Sequence, residues 1–525
     1  MKFSKKVLPM VLAMAMVPAM SMTAFAAQTP TTVNSSAVDI SKHTFAAYQI
    51  FEGDYSEGKL SNVKWGSGVK VDESGKKGFN YGGSNDAAVI AQKLTKAGAD
   101  ANDFAKVAAQ NLASAATATG TGTVTLAKAG YYLIVDTTEI ATDGYDAKNL
   151  TLLKVTGDNQ TITPNVKTDK PSVEKKVAEN TKYPQDAGYG DTYNDVADYN
   201  IGDSVDFHLI GAVPDMENYD TYKYEFEDTL SNGLTVPALA DIKVYLSDDK
   251  KVDQNGDSEL TNNSNLEDNL TVSVSGQKIY VSFKDLKTIE NIAKGKYIIV
   301  EYSAILNANA VIGLDGNENK VKLKFSNNPN GNGTGETPED KVIVFTYELD
   351  TTKIDADNQK KLSGAEFKLI NKAGKFATVD SDGKVTGWVD TEADGSTLVS
   401  DNDGLFRVIG LDAGDYKLKE TKAPGGYNLI SKPIDFTITA TTINDQKWNG
   451  QPESALENLK ITVNNETTSG NTSTGIVNMN VENKSGSTLP ETGGIGTTIF
   501  YVVGVILMLG AGVLLVTKKR MSSNR

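Results

Sequence analysis

The sequence predicts an all-β protein built from tandem antiparallel β-sandwiches, with a small helical insertion in the first of them. Short runs rich in Val, Ile, Tyr, Thr and Phe recur along the middle of the chain, for example at 131–135, 296–300 and 342–345. Gly, Asn and Asp separate these runs. The first group of residues favours strands and the second favours tight turns, so the pattern is typical of sandwiches.

The helical insertion is predicted from two Ala-rich stretches, residues 86–96 and 103–116, which contain no Pro or Gly. Val89, Ile90, Leu94 and then Phe104, Val107 and Leu112 recur at near-helical spacing. We expect these helices to pack on a sheet.

Composition excludes several classes of protein. The 525-residue chain has a net charge of −15, no cysteine and only two histidines. A nucleic-acid-binding protein needs a basic patch, which this balance disfavours. No zinc spacing, P-loop or dinucleotide motif is present, so we predict no metal, no cofactor and no enzymatic turnover. The D-Q-N-G-D stretch at 253–257 begins like a calcium loop but has no Glu at the twelfth position, so we interpret it as an acidic turn.

The N-terminus is predicted to be a signal peptide, residues 1–26. Lys2, Lys5 and Lys6 precede an apolar stretch at 7–20, and Ala-Phe-Ala at 24–26 is a small-x-small cleavage site. The exported part then divides into three predicted domains, at 27–166, 167–341 and 342–484.

The C-terminal segment, residues 485–525, contains a pentapeptide, an apolar run and a basic tail. The pentapeptide is Leu489, Pro490, Glu491, Thr492 and Gly493. The run at 495–517 carries no charge and is long enough to span a bilayer, and the basic cluster at 518–520 would stay cytoplasmic. The alternative is an ordinary membrane anchor with a chance pentapeptide.

This three-part arrangement resembles the cell-wall sorting signal of Gram-positive surface proteins. The resemblance implies that a sortase attacks the carbonyl of Thr492 and transfers it to an amine.

The third domain contains four short motifs in order: T-K-I-D at 352–355, L-S-G-A-E-F at 362–367, L-K-E-T-K-A-P-G-G-Y at 418–427 and V-E-N-K at 481–484. They resemble the CnaB-like domain of Gram-positive adhesins and pilins. The resemblance implies an isopeptide bond between Lys353 and Asn483, with Glu420 as the catalytic acid. Burial suits this chemistry, because it favours an uncharged amine and a protonated carboxyl. The alternative is three solvated side chains.

The middle domain contains a second set of motifs. Strand alternation in P-S-V-E-K-K-V at 171–177 turns Lys175 inward rather than Lys176. The same argument places Asn327 on one face with Leu323 and Phe325.

Together with residues 224–234, the segments around Lys175 and Asn327 resemble the isopeptide-forming domain of sortase-assembled backbone pilins. The resemblance implies Lys175 as nucleophile, Asp228 as catalytic acid and Asn327 as amide partner. Glu227 and Asn328 are the adjacent alternatives, and a surface salt-bridge cluster is the simpler interpretation. Both resemblances imply immunoglobulin-like (Cna-type) β-sandwiches.

Polymerisation requires an acceptor amine, which in backbone pilins is a lysine near the junction of the first two domains. The junction here reads T-P-N-V-K-T-D-K-P at 163–171, so Asn165 interrupts the usual Tyr-Pro-Lys context. We choose Lys167 as the acceptor and keep Lys170 as the alternative. No comparable Lys–acid–Asn set can be assembled in the first domain, so no cross-link is predicted there.

The resemblances imply a structural shaft subunit of a covalently polymerised pilus on the Gram-positive cell surface. Its expected partners are pilus-class and housekeeping sortases, further copies of itself, accessory pilins, peptidoglycan and host surface or matrix ligands. The alternatives are a monomeric wall-anchored adhesin and a tip or base pilin.

Overall fold

The computed structural model describes residues 35–180, 193–252, 256–442, 448–486 and 495–522. Within these ranges the chain consists mainly of antiparallel β-sheets, so the all-β prediction is confirmed. The predicted signal peptide at 1–26 and the pentapeptide at 489–493 lie outside the described residues, as do residues 253–255 of the acidic turn. Short 3₁₀ helices occur at Ile40–Lys42, Leu239–Asp241, Ser264–Leu266, Leu286–Thr288 and Pro452–Ser454.

The first unit covers residues 35–171. Its strands are β1 (Ser35–Ala37), β2 (Thr44–Ser56), β3 (Lys59–Trp65), β4 (Ala118–Thr121), β5 (Val124–Leu126), β6 (Gly130–Asp136), β7 (Leu152–Thr156), β8 (Gln160–Ile162) and β9 (Asp169–Pro171). The main sheet has the order β3-β2-β6-β7, with β4 also paired to β2. Alternate residues of β2 and β6 pack against the two helices on one face and against β5 on the other.

The two helices are α1 (Ala87–Leu94) and α2 (Ala101–Ala109). The side chain of Asp86 caps α1, and that of Asp100 caps α2 by accepting two backbone N–H groups. The second helix starts earlier than predicted and ends before residue 116. After its end the side chain of Asn111 donates a hydrogen bond to the Val107 carbonyl at 2.8 Å, and Leu112 forms an isolated β-bridge with Val69.

The middle unit is a sandwich of two seven-stranded sheets. Its strands are β10 (Val173–Ala178), β11 (Tyr193–Asn194), β12 (Val196–Asp198), β13 (Ser204–Ala212), β14 (Tyr224–Leu230), β15 (Leu234–Thr235), β16 (Lys243–Ser247), β17 (Ser258–Glu259), β18 (Leu270–Ser275), β19 (Lys278–Phe283), β20 (Tyr297–Leu306), β21 (Asn317–Ser326), β22 (Thr334–Glu336) and β23 (Asp340–Phe345). One sheet has the order β11-β10-β13-β20-β16-β17 with β15 beside β20, and the other β12-β23-β21-β14-β19-β18 with β22 beside β21. Their alternating apolar residues meet in one core.

The third unit pairs a three-stranded sheet with an eight-stranded one. Its strands are β24 (Tyr347–Asp355), β25 (Glu366–Asn371), β26 (Phe376–Val379), β27 (Val385–Val389), β28 (Leu398–Val399), β29 (Leu405–Leu411), β30 (Gly414–Lys422), β31 (Ile434–Thr442), β32 (Leu456–Val463), β33 (Glu466–Ser469) and β34 (Ile476–Asn483). The small sheet has the order β29-β24-β34, in which the first and last strands of the unit, β24 and β34, run parallel.

The middle and third units are joined closely. Only Thr346 separates β23 from β24, and the buried apolar residues of the two sandwiches form one continuous cluster. The backbone amide of Ile201 donates to the carbonyl of Gly410 at 3.0 Å across this joint. At the C-terminus lies α3 (Ile495–Ser522). Its segment Thr498–Ser522 contains an 18-residue window of mean hydropathy 2.7 and is long and apolar enough to cross a membrane.

Candidate cross-link sites and acceptor lysine

The first candidate site lies between the two sheets of the middle unit. Lys175 projects from β10 and Asp228 from β14, strands that belong to facing sheets. Alternation turns both side chains into the core, where both are completely buried. Nζ of Lys175 donates a hydrogen bond to Asp228, and both groups also contact the hydroxyl of Tyr302 on β20.

Burial shifts the ionisation of this pair in opposite directions. It lowers the pKa of Lys175 to about 8, although the attraction of Asp228 opposes that change. It raises the pKa of Asp228, again against the opposing effect of the lysine. Desolvation therefore favours the uncharged amine, which is a nucleophile, and the protonated carboxyl, which can donate a proton.

The amide beside this pair is Asn319, which corrects the sequence-based choice of Asn327. Asn319 lies on β21, fully buried, and its Nδ2 donates to the hydroxyl of Tyr302 at 2.7 Å. Its Oδ1 has no hydrogen-bond partner within the described ranges. In the β14–β21 register Val321 lies opposite Asp228, so Asn319 is a diagonal neighbour of the acid on the same face.

Asn327 lies beyond the other end of β21. Its backbone amide donates to the carbonyl of Gly333 in the turn that follows, and no contact between its side chain and Lys175 or Asp228 is found in the described structure. Strand alternation predicted the correct face of β21 but could not determine how far along the strand the acid lies.

The residues adjacent in sequence to these candidates, Lys176, Glu227 and Asn328, have partners elsewhere. Glu227 points away from the core and is 2.5 Å from the amine of Lys278. Lys176 is 2.5 Å from Asp195. Asn328 belongs to the turn after β21, where its Oδ1 accepts a backbone hydrogen bond at 3.0 Å. The structure therefore places Lys175, which strand alternation predicts, beside Asp228, which the resemblance implies, and not beside Glu227.

The second candidate site joins the first and last strands of the third unit. The parallel register of β24 and β34 puts Lys353 opposite Val481, two residues before Asn483. Nζ of Lys353 donates to the carbonyl of Val481 at 2.8 Å. Glu420 enters from β30 of the facing sheet, and its Oε2 accepts a hydrogen bond from Nδ2 of Asn483 at 3.2 Å. The structure thus brings together all three residues chosen from the sequence.

The second site is also buried. Lys353, Glu420 and Asn483 are 0%, 3% and 2% exposed. Burial lowers the pKa of Lys353 to about 8, with Glu420 opposing the change. Oε1 of Glu420 and Oδ1 of Asn483 have no hydrogen-bond partner in the part of the chain that the structure describes. Unpaired buried oxygens are costly, and they are commonly found where a site is arranged for chemistry.

The two candidate acceptor lysines differ in environment. Lys167 is exposed, and its amine makes no hydrogen bond or ion pair with any described residue. The side chain of Lys170 is only 12% exposed, with its amine 3.5 Å from the carboxylate of Asp146 and 4.7 Å from the centre of the Tyr145 ring. Of the two, Lys167 is the amine that an external enzyme can reach.

The backbone of Lys167 is held from both sides. Its N–H donates to Oδ1 of Asn149 at 2.8 Å, and its carbonyl accepts from Nδ2 of Asn218 in the middle unit at 2.8 Å. The N–H of Asn149 in turn donates to Asp136 at 2.7 Å. Asp136 also lies 2.6 Å from His43, and this hydrogen bond raises the pKa of the imidazole. The backbone of the segment is therefore held in place, while the lysine amine has no partner among the residues that the structure describes.

Sequence reasoning missed two residues of the middle site, Asn319 and Tyr302. A signal for the first was available: N-E-N-K-V-K-L-K-F at 317–325 alternates over its whole length, so two asparagines share the buried face. No signal in the sequence singles out Tyr302 among the 21 tyrosines.

Three family models match the chain. Residues 201–329 match the Gram-positive pilin backbone subunit 2, Cna-B-like domain. Residues 347–452 match the prealbumin-like fold domain, and residues 481–523 match the LPXTG cell wall anchor motif. The chain has the domain content of a Gram-positive backbone pilin with a cell-wall anchor, and the resemblance predicted from the sequence is confirmed.

The chain is similar to a curated streptococcal protein and to a solved streptococcal structure. The trypsin-resistant surface T6 protein of Streptococcus pyogenes serotype M6 is 26% identical in an alignment of 276 positions. The alignment covers 42% of this chain and 48% of that protein, so the chain spans about half of the relative's length. The solved T6 backbone pilin of the same serotype superposes with a TM-score of 0.50 at 18% identity, over 86% of this chain and 98% of that one. The latter comparison supports the three-unit fold.

Proposed function

We propose that this chain is the structural shaft subunit of a covalently polymerised pilus anchored to the Gram-positive cell wall, and that it is a substrate of sortase rather than an enzyme. One observation carries the proposal. Lys167 is exposed, its backbone is hydrogen-bonded on both sides, and its amine has no partner among the described residues. It lies between the first and middle units, whereas the sorting motif follows the third unit in the sequence. Joining the Thr492 carbonyl of one copy to Lys167 of the next gives a head-to-tail contact that does not close, which makes a fibre.

We also propose that each of the two larger sandwiches is closed by an isopeptide bond, Lys175 to Asn319 and Lys353 to Asn483. In each case the neutral amine attacks the side-chain amide carbonyl, the buried acid transfers a proton, and ammonia leaves. Both bonds tie early strands to late ones, so tension along the shaft would act on covalent links. The chain has no cysteine, so these bonds would take the place of disulfides.

The partners follow from this role. A pilus-class sortase would join copies of the chain to one another and to accessory pilins, and a housekeeping sortase would attach the last copy to peptidoglycan. The acidic surface, with a net charge of −15, suits a projection that stays soluble and separate from its neighbours.

Boiling cell-wall extracts in SDS and blotting for this protein tests polymerisation. Because isopeptide links survive boiling, a shaft subunit should run as a ladder of high-mass species in cells that carry the sortase. A ladder that disappears in sortase-deficient cells would support the proposal. A single band of monomer mass in sortase-positive cells would instead indicate a wall-anchored adhesin.

Glu420→Ala should remove one cross-link. Residues 27–492, expressed without sortase, should have a mass lower than the sequence mass by two ammonia molecules, and the variant should be lower by only one. Glu482→Ala is the matched control, since Glu482 is the exposed neighbour of Asn483. Intact-mass spectrometry measures both. A Glu420→Ala protein that still lacks two ammonia molecules would exclude Glu420 as the acid.

A further inference from the structure

Tyr302 connects the reacting groups of the middle site. Its hydroxyl donates a hydrogen bond to Oδ2 of Asp228. The hydroxyl oxygen of Tyr302 also accepts one hydrogen bond from Nδ2 of Asn319 at 2.7 Å and another from Nζ of Lys175 at 3.2 Å. A hydroxyl has one donor and two acceptor positions, so all of its capacity is used by the nucleophile, the acid and the amide.

This arrangement is specific to Tyr302. Tyr222 is also fully buried, but its hydroxyl has no hydrogen-bond partner within the described ranges. The Tyr302 ring is held by Phe207, with ring centres 5.5 Å apart, and Nζ of Lys175 lies 5.3 Å from the centre of the Phe207 ring. Packing therefore fixes the hydroxyl in a place from which water is excluded.

The third unit shows why the middle site needs such a group. There, Nδ2 of Asn483 donates directly to the acid Glu420 at 3.2 Å. In the middle unit, the described contact of Nδ2 of Asn319 is to Tyr302, which in turn donates to Asp228. The leaving nitrogen and the acid thus meet directly in one sandwich and through a phenol in the other.

We propose that Tyr302 is a catalytic residue of the middle cross-link, which relays the proton that the leaving ammonia requires. The inference rests on the isopeptide bond proposed above. The Nζ–Cγ bond between Lys175 and Asn319 forms as the amide carbonyl becomes a tetrahedral oxyanion. The amine then has one proton too many, which passes to Oδ1 of Asp228, its hydrogen-bond partner, as the protonated acid gives up its own proton from Oδ2.

The second half of the step uses the tyrosine. When the amide carbon becomes tetrahedral, Nδ2 gains a lone pair and changes from donor to acceptor. The hydrogen bonds through Tyr302 then reverse: Asp228 gives the proton from its Oδ2 to the phenol oxygen while the phenol gives its own to Nδ2. The Cγ–Nδ2 bond breaks, the carbonyl reforms, and ammonia leaves. One proton moves in total from Nζ to Nδ2. Tyr302 ends as it began, and Asp228 is again protonated, now on Oδ1 instead of Oδ2.

Tyr302→Phe tests the relay because it keeps the ring and removes only the hydroxyl. Cell-free synthesis of residues 27–492, sampled over time and analysed by intact mass and peptide mapping, gives the rate at which each ammonia is lost. We expect the middle bond to form about 10²- to 10⁴-fold more slowly in this variant, the range for loss of one acid–base group. The Lys353–Asn483 bond should form at the wild-type rate in the same molecule, and Tyr222→Phe is the matched control that should leave both rates unchanged.

A second measurement separates catalysis from packing. Placing 3-fluorotyrosine at position 302 preserves shape and hydroxyl but makes the phenol more acidic, so it should change the rate of the middle bond alone. Wild-type rates of middle-bond formation in both the Phe and the fluorotyrosine proteins would overturn the proposal. If the wild-type protein itself never forms a Lys175–Asn319 link, the cross-link proposal fails instead, and peptide mapping distinguishes that result.

Discussion

Asn319→Ala should lower the melting temperature of the middle sandwich by roughly 10–20 °C. The proposed bond closes a loop of more than 100 residues, from 175 to 319, and in the chain-entropy model such a link stabilises the folded state by roughly 5 kcal/mol. For a domain of this size, each kcal/mol corresponds to about 2–4 °C. The variant should also keep the mass of one ammonia that the wild-type protein loses. Calorimetry and intact-mass spectrometry on residues 27–492 measure the two effects.

Asn327→Ala is the matched control for this prediction. Asn327 is also a buried asparagine at β21, but it lies at the turn, so its replacement should leave both ammonia losses intact. Removal of the hydrogen bond from Asn319 to Tyr302 would by itself cost about 1–3 kcal/mol. A lower melting temperature therefore supports the cross-link only if the variant also retains the mass of one ammonia. Loss of one cross-link in Asn327→Ala, with two retained in Asn319→Ala, would restore Asn327 as the amide partner.

The middle site shows how far strand alternation carries a prediction. Because side chains alternate with a period of two, the sequence could separate Lys175 from Lys176, whereas the choice of Asp228 over Glu227 came from the resemblance. Alternation alone says nothing about position along a strand. Asn319 and Asn327 satisfy the same pattern, and only the pairing of Val321 with Asp228 distinguishes them. That pairing depends on the whole β14–β21 register.

The third unit was more predictable because its motifs indicate both where along a strand a residue lies and which face of the sheet its side chain occupies. Lys353, Glu420 and Asn483 each lie within a family motif, and the parallel β24–β34 pair brings the first and last of them together. Tyr302 could not be predicted from the sequence, because it lies in no such motif. Its role comes from three contacts across two sheets, and no local pattern around residue 302 records them. The presence of the helices was likewise predictable, whereas the end of α2 was not, because the helix ends at Ala109 although the apolar pattern continues to Leu112.

Lys167→Ala should abolish the high-mass ladder in sortase-positive cells while leaving the monomer attached to the wall. The variant keeps its sorting motif, so the Thr492 carbonyl can still be transferred to the wall, but it offers no amine to the next subunit. Lys170→Ala is the matched control, since that amine is largely covered and paired with Asp146. Immunoblots of boiled wall extracts should show a ladder for Lys170→Ala and a single wall-bound band for Lys167→Ala.

The linkage itself can be read by peptide mapping of wild-type polymer. Digestion should release a branched peptide in which the Thr492 carbonyl is bonded to Nζ of Lys167. Thr492→Ala should prevent both polymerisation and wall attachment, because the two reactions share one acyl donor. A ladder that persists in Lys167→Ala with a Thr492–Lys170 branch would move the acceptor to Lys170. A ladder in the variant that carries both Lys167→Ala and Lys170→Ala would show that the acceptor lysine is neither of these. It would refute the proposal that subunits are joined at the junction of the first and middle units.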